Sequence, residues 1–377
     1  MRRALAVLIL LAMPAAAGAQ SSTLSARGLG QPGRWLSTRS TATGGAFGMF
    51  DPGSTINPAS LSETGTLTAT FTGLQDYRSV ENPSGTASLR DSRFPLVSVA
   101  GPTRRMPLVL GLSYSNYADR DFSFATVDTL DPDGSPVQVF DTLSSRGGIS
   151  DFRVAGSYGR GSTTLGGSFH ILTGSNRLES RRNFEGGSFL PLKEKAEVSY
   201  AGVGVSLGLI HHVSSRLSVA AVARTDGHLD VDRDSTRVGE LDLPATLGLA
   251  ARVQLSSRLA MAGQGVYRTW SASNSDLLAT GAIGSDNTID LSFGGEFVSD
   301  IRSPNRRPIR FGGHYSTLPF LLEVGQQPTE VGVAIGSGMS FARDRGGIDL
   351  ALERLWRSAG EFKERVFQLS VGVSVRP

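Results

Sequence analysis

The sequence contains no cysteine, so disulfide frameworks, thiolate metal sites and cysteine nucleophiles are all excluded. Lysine is almost absent too, since only Lys193, Lys195 and Lys363 contribute to the 37 basic residues. Hydrophobic residues make up 39% of the chain, where about 45–50%, glycine included, is usual. A net charge of +3 provides no global basic field, and we expect no nucleic-acid partner. The 377 residues are therefore short of ordinary core material.

Long apolar runs are also lacking after the first twenty residues, where no segment has 18 consecutive apolar residues. A membrane-spanning helix is thereby excluded from this part of the chain, whereas a membrane-spanning strand is not. Glycine is abundant instead: it makes up 46 of 377 residues, or about 12%, whereas about 7% is average.

The N-terminus has the pattern of a secretory signal peptide. Arg2 and Arg3 precede an apolar run at 4–13, and Ala17-Gly18-Ala19 forms a small-residue cleavage site. The run is too short to span a bilayer, which takes about 20 residues. Residues 1–19 are therefore predicted to be a signal peptide, and the mature chain to be exported.

Apolar and polar residues alternate with period two in most of the remaining chain, for example at 66–72 and 288–293. This alternation is typical of strands with one apolar face. We predict fourteen strands, near 65–74, 94–101, 107–117, 149–159, 163–174, 196–210, 217–225, 241–253, 259–270, 288–298, 308–316, 330–341, 347–356 and 364–375.

The predicted connections alternate strictly between long and short. Short turns fall near 102–106, 160–162, 211–216, 254–258, 299–307 and 342–346, and long polar links near 75–93, 118–148, 175–195, 226–240, 271–287, 317–329 and 357–363. Outer-membrane barrels have this pattern, with long extracellular loops and short periplasmic turns. The sequence therefore predicts an all-β fold, a transmembrane antiparallel β-barrel of about 14 strands over residues 65–377.

Under this interpretation the strand residues divide into a lipid-facing and a luminal set. Phe71, Phe152, Phe169, Leu291 and Phe311 belong to the lipid-facing set, where an arginine at the midplane would cost ~2–4 kcal/mol. The luminal candidates are Arg153, His170, Arg268, Glu296, Arg310, His314, Asp349 and Glu353.

These luminal charges allow two interpretations. They could form a structural network of paired buried charges. Alternatively, Arg153, Arg268 or Arg310 could bind the carboxylate of a ligand.

Residues 20–64 lack sustained alternation, yet they contain Leu24, Trp35, Phe47, Phe50 and Leu61. Disordered leaders are poor in such apolar residues. We therefore predict that 20–64 form an N-terminal plug inside the barrel.

Two motifs in this segment resemble the N-terminal hatch of the long-chain fatty-acid transporter family, the FadL/TodX-type outer-membrane proteins. They are TATGGAFG at 41–48 and DPGSTINPASL at 51–61. The resemblance implies a fourteen-stranded barrel whose hatch includes Phe47, Asp51, Asn57, Pro58, Ala59 and Leu61.

The same resemblance implies a function in the outer membrane of a Gram-negative cell. That function is passive uptake of hydrophobic small molecules, such as long-chain fatty acids or aromatic hydrocarbons, without a cofactor. Its expected partners are outer-membrane lipid, a hydrophobic ligand, and the barrel assembly machinery during insertion. The alternatives are a structural or adaptor barrel of a protein secretion system, which the motif also resembles, and a soluble secreted β-protein.

Motifs for catalysis lack the necessary context. Residues 28–33 match the dinucleotide fingerprint GxGxxG, but no strand precedes them and no helix follows. Residues 204–208 match the nucleophile elbow GxSxG, but they lie inside a predicted strand rather than at a strand-to-helix turn. We therefore predict that the protein is not an enzyme.

One metal-like pattern places Asp230, Asp232 and Asp234 at alternating positions in a predicted loop. Carboxylates at this spacing could supply oxygen ligands to Ca²⁺. The glycine of an EF-hand loop is replaced by Ser235, however, and Glu240 comes one position early. The alternative is a solvated loop whose acidic residues are balanced by nearby arginines.

Overall fold

Antiparallel strands follow the N-terminal segment and close into a ring. The structure is a computed structural model that describes residues 23–82, 85–131, 136–185, 189–301 and 306–377. The predicted signal peptide, residues 1–19, lies outside these ranges. Within them the ring contains fourteen strands, which are β1 (Thr68–Asn82), β2 (Gly85–Pro102), β3 (Leu108–Asp119), β4 (Val137–Arg160), β5 (Thr163–Phe184), β6 (Leu192–His212), β7 (Leu217–Thr225), β8 (Thr246–Gln254), β9 (Leu259–Arg268), β10 (Thr288–Phe297), β11 (Arg306–Thr317), β12 (Thr329–Phe341), β13 (Gly346–Ala359) and β14 (Phe362–Val375).

Each strand pairs antiparallel with the next, and β14 pairs with β1 from Lys363↔Glu81 to Val375↔Ala69. The ring therefore closes without a first or last edge strand, which is how barrels avoid open strand edges. The predicted all-β, fourteen-stranded antiparallel barrel is confirmed. Within the described residues, none of the helices has both the length and the apolar character that crossing a membrane requires.

The two faces of the strands differ as the alternation predicts. Lipid-facing candidates are exposed to the outside, for example Phe293 at 64%, Leu112 at 61% and Phe152 at 46%. Their neighbours in sequence point into the ring and are buried, as Arg153 and Ser292 are. The ring thus carries its apolar side chains outside and its polar ones inside.

The ring has two different ends. The turn end carries the connections 103–107, 161–162, 213–216, 255–258 and 342–345, together with residues 298–301. At the opposite, loop end, five of the seven predicted long links are wrong, because strands occupy most of 75–93, 118–148, 175–195, 226–240 and 357–363. The range 75–93 belongs mostly to β1 and β2, and 357–363 contains only a two-residue turn between β13 and β14. Most residues at 75–93 are polar on both faces of the strands, so the sequence there resembles that of a loop.

The loop end is extended by further strands. β4 and β5 are 24 and 22 residues long, and Phe122–Leu130 pairs with β4 as a continuation of β3. A hairpin of His228–Arg233 and Thr236–Asp242 interrupts the predicted link at 226–240 and pairs with β6. Of the predicted long links, 271–287 and 317–329 are the two that stay mostly without strand in the part of the chain that the structure describes. The first follows on from the 3₁₀ turn Trp270–Ser273 and contains the helix α2 (Asn274–Ala279).

The N-terminal segment crosses the ring from the loop end to the turn end. Its 3₁₀ turn Thr23–Ala26 places Leu24 among residues at the tips of β1, β2 and β14. Gln31–Pro32 then pairs with β3, and the short helix α1 (Thr38–Thr41) contacts β12, β13 and β14. A second 3₁₀ turn, Pro58–Glu63, packs against β4, β5 and β6 before the chain enters β1. The segment therefore occupies the interior of the ring.

Candidate functional site

The interior of the ring holds the candidate site, and the hatch motif residues organise its N-terminal segment. Asp51 accepts hydrogen bonds from the side chains of Ser37 and Ser40 and from the backbone N–H of Gly53. Ser37 also caps helix α1 through its side chain. Asp51 thereby holds the hydroxyl of Ser37, whose oxygen accepts the N–H of Ser40 and so caps the helix start.

The NPASL motif fixes the segment against the wall. Asn57 Oδ1 accepts from the N–H of Ala59 at 3.0 Å, and its Nδ2 donates to the carbonyl of Met49 at 3.2 Å. Pro58 begins the 3₁₀ turn, where its missing N–H costs nothing. Leu61 packs with apolar residues of β2, β3 and β4, and Phe47 lies buried against Ala262 of β9. These predicted hatch residues are structural anchors.

Ion pairs connect the segment to the wall near the turn end. Arg39 of helix α1 binds Glu296 at 3.0 Å. Arg310 also binds Glu296, at 2.6 Å, and reaches Asp349 at 2.6 Å. The geometry brings three of the luminal candidates together and supports the structural interpretation for them, because each charge has a counter-charge.

A second network lies nearer the loop end. Arg34 binds Glu353 at 3.3 Å and Asp290 at 3.4 Å. His314 lies 3.0 Å from Glu330 and 3.4 Å from Glu353, which places a buried imidazole between two carboxylates. The segment is therefore tied to β10 and β13 by charge as well as by packing.

His170 belongs to a third network in the wall. Its Nδ1 lies 2.9 Å from the carboxylate of Asp151, and its Nε2 lies 3.1 Å from the hydroxyl of Ser206. Arg224 donates to the same carboxylate at 2.7 Å. Nearby, Arg153 donates to the carbonyl of Thr55 in the N-terminal segment at 2.9 Å.

Ser206 is the serine of the GxSxG match, and together with His170 and Asp151 it has the residue types of a catalytic triad. Ser206 lies in the middle of β6 and is only 3% exposed, whereas a nucleophile elbow exposes its serine at a strand-to-helix turn. The placement within a strand is as predicted. The three residues form a buried hydrogen-bonded link across β4, β5 and β6.

Arg268 differs from the other luminal arginines. Its guanidinium stacks over Trp35 at 4.6 Å, and Arg224 also approaches that ring at 4.6 Å. Among the residues that the structure describes, Arg268 has neither a hydrogen-bond partner nor an ion pair, and its buried Nε is unsatisfied. Its guanidinium is half-buried and touches no carboxylate among the described residues, so a ligand anion would stabilise it.

A chamber of about 130 Å³ lies beside Arg268. Its wall combines the apolar side chains of Pro95, Leu96, Trp270 and Leu355 with charged residues, which are Arg268 and the ion-paired Arg34, Arg93, Arg357, Asp290, Glu330 and Glu353. It can therefore hold a molecule that is mostly apolar and has one polar or anionic end.

The chamber abuts an interruption in the wall. The ladder between β2 and β3 ends at the pair Leu96↔Ser115, and beyond it no further pair joins these strands within the described residues. On the β1 side, Gly73 lies opposite both Phe94 and Pro95, which forms a bulge. The free edge of β3 is covered instead by Gln31–Pro32 of the N-terminal segment.

The three calcium candidates do not form a metal site. Asp230 is paired with Arg237, and Asp234 accepts the backbone N–H of Glu197. Across the described ranges, no group of three His, Cys, Asp or Glu side chains is arranged to hold a metal ion.

Several buried charged residues escaped the sequence analysis, among them Asp76, Asp151, Arg224, Glu330 and Arg357. Asp76 and Arg357 fall in ranges that were assigned to polar links. Asp151 could have been found, because it shares the parity of the predicted luminal residue Arg153.

Solved structures with the same architecture exist at low sequence identity. A FadL homologue of Pseudomonas aeruginosa superposes with a TM-score of 0.64 at 13% identity, covering 92% of this chain and 99% of that one. The toluene transporter TbuX of Ralstonia pickettii gives a TM-score of 0.56 at 14% identity, with 90% and 98% covered. The toluene transporter TodX of Pseudomonas putida gives 0.55 at 16% identity, with 91% and 98% covered.

This chain has the FadL/TodX fold. The resemblance inferred from residues 41–61 is thereby confirmed at the level of architecture, over nearly the whole length of both chains. Neither a protein-family model nor a curated protein sequence matches the chain.

Proposed function

We propose that the protein is an outer-membrane channel for passive uptake of small hydrophobic molecules, and not an enzyme. The observation that carries this proposal is the luminal chamber, which lies directly beside the interrupted β2–β3 ladder. The apolar outer face of the ring supports placement in a membrane. The transport described for the structural neighbours points in the same direction.

The size of the chamber favours compact cargo. An engineered protein cavity of about 150 Å³ accommodates benzene. The chamber here has about 130 Å³, which fits one aromatic ring and is too small for an extended long-chain fatty acid. We infer that single-ring compounds bind without rearrangement, whereas a long acyl chain requires the N-terminal segment to move.

The lumen near the turn end is an unfavourable path for apolar cargo. It contains helix α1 and the ion pairs of Arg39, Glu296 and Arg310, which an apolar molecule would have to separate or desolvate. The wall interruption offers a shorter path from the chamber into lipid. We propose lateral release between β2 and β3, with Gln31–Pro32 as the barrier.

Uptake by cells with and without the gene tests the function. We expect the initial uptake rate of a labelled single-ring hydrocarbon to fall in the deletion strain and to recover on complementation. Normal uptake combined with loss of secreted proteins would instead support the secretion adaptor.

Arg268 provides a test of ligand polarity. Arg268→Gln should reduce uptake or binding of a ring carboxylate such as benzoate by about tenfold or more, since a hydrogen bond to a charged group contributes ~1.5–3 kcal/mol. Toluene uptake should be nearly unchanged, because toluene has no anionic group. Equilibrium binding to purified protein gives the comparison.

The exposed Arg365→Gln on β14 is the matched control and should affect neither compound. Equal losses for benzoate and toluene in Arg268→Gln would show that the arginine serves only to hold the structure together.

A further inference from the structure

The outward face of β4, β5 and β6 changes character toward the loop end. Phe152, Ile171 and Val203 lie in the apolar band of this face. A tilted membrane strand crosses such a band, about 25 Å tall, in about 9–11 residues. Counted from Leu165 on β5, this length reaches residue 175, so Arg177 stands just beyond the band.

Five basic residues lie on this outward face, beyond the apolar band toward the loop end. They are Arg146 on β4, Arg177 and Arg181 on β5, and Lys193 and Lys195 on β6. We call these five residues the basic patch. Each is separated by an even number of positions from an exposed apolar residue of the same strand, so both sets point outward. Two of the three lysines in the protein belong to the patch.

The strand register places like charges directly opposite each other in this patch. Arg146 pairs with Arg177, and Arg181 pairs with Lys193. Like charges at directly opposed positions destabilise a sheet. Glu179 relieves the second pair, because it contacts Arg181 at 2.5 Å and Lys193 at 3.1 Å.

The Arg146–Arg177 pair has no comparable relief. Among described residues, Arg146 has no hydrogen bond or ion pair, and Arg177 meets only Glu197, at 4.0 Å. The Arg177 side chain is 81% exposed. An anion between the two guanidiniums would turn a repulsive pair into a binding site.

An open groove of about 960 Å³ runs along the same surface. Its lining includes the small residues Ser144 and Ser175 beside the two arginines, with Arg181 and Lys195 as further cations. Three acidic residues, Glu179, Glu197 and Asp234, also line it. Arginine binds phosphate oxygens in a bidentate manner and suits this position.

We propose that the basic patch binds the phosphate groups of lipid head groups in the leaflet at the loop end. This inference rests on the membrane placement made under the proposed function. The patch continues directly from the lipid-facing band, so a lipid could place its acyl chains on that band and its phosphate between Arg146 and Arg177.

The experiment uses the purified full-length protein in nanodiscs. The probes are a diphosphorylated acylated glucosamine disaccharide, the same glycolipid without phosphates, and inorganic phosphate. Binding of the phosphorylated glycolipid should weaken by about tenfold or more in Arg146→Gln/Arg177→Gln, because charge-assisted hydrogen bonds are lost. The control Lys363→Gln/Arg365→Gln removes the same charge from the outward face of β14 and should change binding by at most about twofold.

A second readout is the sign of the change in stability. In zwitterionic lipid the double variant should unfold at a higher denaturant concentration than the parent, because the arginine repulsion is removed. With phosphorylated glycolipid the order should reverse.

Equal binding of the dephosphorylated glycolipid, or unchanged binding by the double variant, would overturn the proposal. Equally tight binding of inorganic phosphate would assign the patch to free anions rather than lipid. Loss of uptake is not part of this test, so it can fail while the transport proposal stands.

Discussion

Uptake of a single-ring hydrocarbon is expected to cease when residues 32 and 118 are joined by a disulfide, and to return on reduction. Pro32 and Ala118 are Cα partners in the short ladder that covers the free edge of β3. Antiparallel partners lie about 4.5–5.5 Å apart, within the range that a disulfide spans. Because the natural chain has no cysteine, Pro32→Cys/Ala118→Cys introduces the only thiol pair.

The physical reason is the position of the barrier. If cargo leaves the chamber between β2 and β3, the segment at Gln31–Pro32 must separate from β3. A covalent link makes this separation impossible. Uptake measured before and after treatment with a reductant, in the same cells, isolates the effect of the link from that of the substitutions.

A second disulfide distinguishes lateral from axial passage. Thr38 of helix α1 and Ser370 of β14 share a hydrogen bond at 2.7 Å, near the turn end. Thr38→Cys/Ser370→Cys would fasten the helix to the wall without touching the β2–β3 gap. We expect this link to leave uptake of a ring compound nearly intact. The opposite pattern, in which only this link blocks uptake, would contradict lateral release.

The ring itself could be predicted because its two faces contact different media. Alternation at positions such as Phe152 and Arg153 reflects an apolar outer face and a polar interior, so the number of strands and the facing of their side chains could be predicted. The same reasoning failed at 75–93, where β1 ends and β2 begins. There the buried face carries charged residues such as Asp76 and Arg78, so the alternation of apolar and polar residues that marks a strand disappears.

The ion pairs that the luminal side chains form with one another could not be predicted in the same way. The sequence assigned Glu296 and Arg310 to the interior, but their pairing depends on the register of β10 against β11. Arg268 was one of several candidate arginines, and what distinguishes it is that it has neither a hydrogen bond nor an ion pair among the described residues, which only three-dimensional geometry reveals. Likewise, Pro95 signalled an irregular strand, whereas the end of the β2–β3 ladder depends on β3 turning toward the N-terminal segment.

The charged interior and the hydrophobic cargo are compatible if they occupy different parts of the lumen. The ion pairs of Arg39, Glu296 and Arg310 fix the N-terminal segment near the turn end and keep that half of the barrel closed. The chamber lies farther toward the loop end, where apolar side chains line it together with Arg268 and the ion pairs of Arg34. The ion pairs of the turn end are not part of its wall.

The seal between segment and wall depends on glycine at close backbone contacts. A Cβ at Gly166 of β5 would lie 2.3 Å from the nitrogen of Ala59, and one at Gly312 of β11 would lie 2.1 Å from the carbonyl oxygen of Thr43. Both neighbours are backbone atoms, which cannot rotate away as a side chain could. The abundance of glycine in the sequence thus has a specific use at the inner wall.

Gly166→Val is accordingly expected to displace the Pro58–Glu63 turn from the wall and open a leak. Overpacking typically costs ~1–3 kcal/mol, and we expect the upper part of this range because the obstructing atoms belong to the backbone. The free energy of unfolding in denaturant measures the loss. Ion conductance in planar bilayers should rise at the same time, since the segment no longer seals the lumen.

Gly167→Val is the matched control, one position away on the same strand. Its Cβ would point outward, with the nearest atom, Cδ2 of Leu207, at 3.8 Å. Substitutions at such open sites usually change stability by less than about 0.5 kcal/mol, and a valine on the lipid side suits its surroundings. We therefore expect normal conductance for Gly167→Val. Equal destabilisation by both valines would show that β5 tolerates no side chain at this height. A stable, non-conducting Gly166→Val would show that the turn can shift without opening the lumen, and the seal would then have to be sought in the ion pairs at the turn end.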